Sequence, residues 1–150
     1  MQEIHGALDR LRQALEAAPE VAARERRAAL EEAGQAILRA VAGRIGGSGR
    51  IAGYQEMHMG SRGDYTAVRP RAKTQIGRYA AGYVTNSIES GHVIRRPKGV
   101  TGRKSRARFA AVRGKYMYMD TARYDADRLA RQVQERIVNA VEKHLKEGSQ

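Results

Sequence analysis

The chain has 150 residues, a length that fits one domain and can bury a hydrophobic core without covalent staples. It contains no cysteine, which excludes disulfides and thiolate metal sites, and one Phe, seven Tyr and no Trp leave the core to Ala, Leu, Ile and Val. The net charge of +12 is concentrated: positions 62–115 hold 14 of the 28 basic residues and two acids, Asp64 and Glu89, while the flanks balance at 14 of each sign.

A neutral frame around one basic centre points to a particular acidic partner more than to general affinity for polyanions. The N-terminus carries charges every few residues, and no apolar run approaches the roughly 20 residues that cross a bilayer. The expectation is a soluble intracellular protein with no membrane contact.

In chain order, Ile4, Leu8, Leu11 and Leu15 share one face and predict an amphipathic helix over about 3–17. Proline is tolerated in a first helical turn and not in an interior, so Pro19 predicts a second helix over about 19–45. Its apolar face is Val21, Leu30, Ala33, Ile37, Leu38, Val41 and Ile45, and the glycines at 46, 47 and 49 end it. Strands over about 50–59 and 64–69 form a hairpin around Gly60-Ser61-Arg62-Gly63, the second ending before Pro70.

After a polar connection, Ala80, Ala81, Val84 and Ile88 predict a short helix over about 79–90, stopped by Gly91 in a left-handed cap. A basic loop over about 92–108 follows, then a strand over about 109–119 that adds to the hairpin. The last helix, over about 120–147, repeats Ala122, Ala126, Leu129, Val133, Ile137, Val141 and Leu145 at spacings of three and four, with acids at its start and bases at its end. The whole predicts an α+β single domain over 1–150: long N-terminal and C-terminal helices packed on a small antiparallel sheet, with a short helix and a long basic loop. All three long apolar stripes read as core.

Reaction chemistry is sparse. His5, His58, His92 and His144 are scattered, with no ligand pair at one-turn spacing, so no metal and no cofactor are expected. Glu89 and His92 lie three apart across Gly91, which reads as a hydrogen bond at a helix end before it reads as acid–base chemistry. No nucleophile elbow, phosphate loop or metal-binding helix motif is present, and no catalytic residue is expected.

The candidate functional element is the basic loop, with Arg95, Arg96, Lys98, Arg103, Lys104, Arg106 and Arg108, followed by Arg113 and Lys115. It suits nucleic-acid contact through counterion release, although Phe109 is its one aromatic residue and no stacking or recognition-helix pattern accompanies it. A second reading is docking on an acidic protein neighbour, where charge sets specificity and encounter rate, and a third is a solvated loop with no partner.

The run Gly82-Tyr83-Val84-Thr85-Asn86-Ser87-Ile88-Glu89-Ser90-Gly91-His92 resembles the signature of the siphophage tail-component family, the tail-completion or tail-to-head joining proteins, at Tyr83, Ile88, Glu89, Gly91 and His92. The long helix of residues 24–45, the stretch Gly60 to Tyr65 and the run Gly114-Lys115-Tyr116-Met117-Tyr118-Met119 are similar to that family's N-terminal helix, hairpin and step into the final helix. The family's Pro-x-x-(T/S)-G-x-L-x-x-S segment corresponds here to Arg44–Ile51, where a glycine and an apolar residue remain and the rest does not, leaving the register of the first strand open.

The resemblance implies a structural virion protein without catalytic activity, made in the host cytoplasm and placed in the tail or neck. Its partners would be copies of itself in a ring, the head-completion or connector protein, and the tail tube or tail terminator, with passing contact to genomic DNA in the channel. A basic nucleic-acid-binding protein is the alternative.

Overall fold

The computed structural model describes residues 2–46, 50–94 and 110–149. Its first element, α1 (Gln2–Ile45), is one helix of 44 residues where the sequence predicts two. Pro19 lies inside it. Pro19 and Leu15, whose carbonyl loses its intrahelical donor to the proline, are both on the exposed side, open to solvent. On either side of the proline the helix is tied to the C-terminal helix, Ala14 through His144 and Glu25 through Arg136, and this packing outweighs the local break.

That C-terminal helix, α3 (Met117–Gly148), runs antiparallel to α1. At one end Arg44 pairs with Asp125 at 3.0 Å and donates to Thr121 Oγ1 at 2.9 Å. Midway, Arg136 pairs with Glu32 at 2.7 Å and Glu25 at 3.3 Å, and its guanidinium pKa is pushed up, chiefly by Glu32. At the far end His144 Nε2, in the tautomer protonated there, donates to the Ala14 carbonyl at 3.1 Å. Small residues line the seam: Ala14, Ala29 and Ala33 are buried, and a Cβ at Gly148 would run into Ala14.

The expected hairpin is present. A 3-10 turn (Ala52–Tyr54) leads into β1 (Gln55–Met59), so the first strand starts later than predicted; it pairs antiparallel with β2 (Thr66–Pro70). Pro70 closes the second strand where the sequence placed it outside, at a strand end that needs no further donor. The hairpin presses on α1 at Gly34, where a Cβ would collide with the Met57 and Thr66 side chains. Two-residue strands β3 (Gln75–Ile76) and β4 (Tyr79–Ala80) pair around Gly77-Arg78, and α2 (Ala81–Ser90) follows, starting two residues later than predicted.

Next, β5 (Gly91–Ile94) pairs antiparallel with β6 (Ala110–Arg113). This corrects two expectations. His92 to Ile94 are strand where a loop was predicted, and the strand predicted over 109–119 pairs with β5, not with the first hairpin. It also ends at Arg113, because Gly114 and the left-handed Tyr116 (φ 50°) turn the chain into α3 at Met117. The fold is α+β as predicted: α1 and α3 pack together, accompanied among the described residues by three separate two-stranded antiparallel sheets and a short helix.

The core lies at one end of the helix pair, where Val41, Ile45 and Met117 are buried with Ile37, Ile51, Val68, Ile88 and Tyr118 packed around them. The apolar stripes hold only in part. Leu129 is buried and Val133, Ile137, Val141 and Leu145 are half-buried, but Ala122 and Ala126 face outward, since Met117, Thr121 and Asp125 take the inner positions of the first turns. On α1, Leu8 is 59% exposed, Leu11 37% and Leu15 55%, so the N-terminal stripe is not core in this chain.

The surface is correspondingly large. The chain exposes 11758 Å², against about 7,600 Å² for a compact monomer of 16.6 kDa. The elongated pairing of a 44-residue helix with a 32-residue one gives more surface per mass than a sphere-like body.

Candidate assembly interface

The predicted loop cations Arg95, Arg96, Lys98, Arg103, Lys104, Arg106 and Arg108 lie outside the described residues. What the structure describes is the base from which that segment leaves and to which it returns. Ile94 stands opposite Ala110 and Gly91 opposite Arg113, so the cationic run is covalently tethered at both ends to one hairpin.

That base is built from backbone packed on backbone. Gly91 ends α2 at φ 78°, ψ 172°, a positive-φ conformation open to glycine, though extended and not the left-handed cap predicted. A Cβ there would be driven into the Val112 carbonyl and would stand 2.6 Å from the Gly114 nitrogen. A Cβ at Gly114 would in turn meet the Glu89 carbonyl and come within 2.7 Å of the Ser90 carbonyl carbon. The two glycines let the end of α2 cross the chain that leads into α3. Two backbone hydrogen bonds fasten the crossing: the Lys115 N–H donates to Ile88 O at 2.8 Å and the Tyr116 N–H to Glu89 O at 3.1 Å.

Glu89 then does for α3 what the helix cannot do for itself. Tyr116, the residue preceding α3, makes no side-chain cap. The Glu89 carboxylate instead accepts the Tyr118 N–H on Oε2 and the Met119 N–H on Oε1, each at 3.0 Å, satisfying two free donors with a negative charge at the positive end of the helix. Lys115 acts on the opposite pole, its ammonium donating to the carbonyl of Ile45 at the C-terminal end of α1. A residue counted among the loop cations is therefore a helix cap.

Beneath this base runs a buried polar chain that the sequence reading missed. The Tyr118 hydroxyl donates to Gln55 Oε1, and Gln55 Nε2 donates to Thr85 Oγ1 at 3.1 Å and to Ile51 O at 3.3 Å. It ties β1, α2 and α3 together. Burial first, and the nearby Glu89 carboxylate second, push the Tyr118 phenol up to about 12. No periodicity could have marked Gln55 or Thr85, whereas the glycines flanking the cationic run, 91 and 114, were a readable sign of a close crossing.

The remaining predicted motif residues separate by role. Ile88 packs against the core. His92 is exposed; in the tautomer protonated at Nδ1 it donates to Ser87 O at 3.4 Å, while Glu89 is engaged by α3. The two are not joined as an acid–base pair. Tyr83 is 64% exposed and stacks on Tyr79, ring centroids 5.6 Å apart, with Arg78 over the Tyr79 ring. With Val84, Ile88, His92 and Val93 these tyrosines line a shallow groove between α2 and β5.

Among the described residues no group of three or more His, Cys, Asp or Glu is placed to hold a metal, and no helix is long and apolar enough to cross a membrane. Compared with protein-family models, with curated proteins and with solved structures, the chain gives no significant match.

Proposed function

We propose that this chain is a structural virion protein of a tailed bacteriophage, a ring-forming neck or tail-completion component that joins the head connector to the tail tube around the DNA channel. The observation that carries the reading is the anchoring of the cationic segment. Its two ends are held by the β5–β6 pairing, by the Gly91–Gly114 crossing and by the Glu89 cap on α3, so the charged run leaves from and returns to one fastened hairpin. Charge carried this way favours recognition of an acidic neighbour and fast encounter with it. The large exposed surface and the resemblance of the Gly82–His92 run to the joining family support the same assignment.

Reversing charge at Arg103, Lys104 and Arg106 tests it. Particles assembled with the triple Glu variant should fail to join heads to tails while the isolated variant keeps its unfolding midpoint. Normal joining would remove the segment from the mechanism. Duplex DNA titrated at rising salt decides against nucleic-acid binding if affinity falls away by 0.2 M, since nonspecific phosphate contacts lose roughly 10³-fold or more in that range; binding that persists there would overturn the joining role.

A further inference from the structure

The helix α3 is electrically balanced, with six bases and six acids, and its outer face sets four of them in order. Arg123, Asp127, Arg131 and Glu135 recur at every fourth residue with alternating sign, all exposed, along a shallow groove that also holds Tyr124. Asp127 and Arg131 each lie roughly 160° around the helix from the buried Leu129, so the row is centred on the side turned away from α1.

Such a row can satisfy itself at i, i+4, as Lys143 and Glu147 do on the same helix. This one does not. Among the described residues none of the four is in an ion pair: the neighbouring Arg128 takes Asp125, and Arg123 stands over the Tyr124 ring, 5.6 Å from its centroid.

We infer that this row is a contact between two copies of the chain, α3 of one crossing α3 of the other about a two-fold axis level with Leu129. That axis sets Asp127 against Arg131 of the second copy and Arg123 against Glu135 of the second copy, and by symmetry the reverse. Tyr124, 64% exposed, falls opposite Gln134 of the second copy, an amide its hydroxyl can meet. Residues four apart form the ridges by which helices most often pack, crossing at about −50°.

The alternation selects the occupant. A polyanion, or a protein surface of one sign, meets as many repulsions as attractions along this row, whereas a second copy pairs every charge with its opposite. Roughly seven residues a side, against the 20–30 of a stable interface, make the pair weak. A two-fold contact joins two subunits without extending around a ring, so the inference goes beyond the joining role and does not rest on it.

Two full-length variants test it by sedimentation velocity. Asp127→Arg with Glu135→Arg makes the row wholly basic, and Arg123→Glu with Arg131→Glu makes it wholly acidic. Each alone should have its self-association constant weakened about tenfold or more, since four exposed ion pairs become repulsions. Mixed in equal amounts, the two should form a one-to-one pair tighter than the parent's own. A milder series covers any loss of folding: Arg131→Glu should weaken the pair, and adding Asp127→Arg to it should restore parental association, with unchanged helix content by circular dichroism throughout. Association indifferent to these changes, a mixture no tighter than its parts, or a parent that stays monomeric at every attainable concentration would overturn the inference and leave the joining role untouched.

Discussion

The Glu89 carboxylate accepts the backbone N–H of Tyr118 at 3.0 Å, so the last turn of α2 supplies the cap of a helix that begins 28 residues later, at Met117. Between the two lie β5, the cationic segment and β6. Replacing Glu89 with Ala should cost about 1–2 kcal/mol, the range of a lost N-cap, because the Tyr118 and Met119 donors lose a charged acceptor. Urea denaturation measures it; a change within ±0.3 kcal/mol would mean water replaces the carboxylate at no cost.

The glycine crossing gives a second expectation. Ala at Gly114 has no space against the Glu89 and Ser90 backbone, and Ala at Gly91 adds strain at φ 78° to a clash with Val112. Each should lose about 1–3 kcal/mol, and amide exchange in β5 and β6 should speed up more than in the α1–α3 seam. Equal exchange changes throughout would show that the crossing does not locally hold the hairpin.

Tyr118 makes the fold alkali-sensitive. Its pKa is raised from 10.0 to about 12, so the folded state resists ionisation that the unfolded state accepts. That contribution is complete below pH 10 and is lost as pH rises from 10 to 12. Its size stays below the ~2.7 kcal/mol that two pH units represent, since the side chain is only half-buried and solvent screens it. Tyr118→Phe should be less stable at pH 7 by about 1–2 kcal/mol, having left Gln55 Oε1 unpaired. It should also lose less stability than the parent between pH 10 and 12; parallel curves would refute the role of this phenol.

Thr66 offers the opposite sign. Its hydroxyl is buried without a partner among the described residues, against Gly34 of α1. Thr66→Val keeps the shape and removes the unmet polar group, so it should stabilise by up to about 1 kcal/mol. A lower melting temperature would indicate an ordered water serving the hydroxyl.

The fold class was legible because the 3.6-residue period of Val133, Ile137, Val141 and Leu145, or of Ile37, Val41 and Ile45, is read without knowledge of contacts. Pro19 misled because tertiary attachment on both sides outweighs its local cost. Strand pairing misled for a different reason: β5 and β6 are short, and their register is set by the Gly91–Gly114 crossing, not by alternation along either strand. At the candidate site, Glu89, Gly91 and Ile88 were identified in the sequence, but their work as cap, crossing and core contact depends on neighbours distant in the chain. Gln55, Thr85 and the inward-turned Lys115 left no local signature at all.

Electron microscopy of particles assembled without this chain tests the joining role most directly. The account predicts filled heads lacking tails beside free, complete tails, restored to joined particles when the purified protein is added back. Joined, intact particles formed in its absence would contradict it.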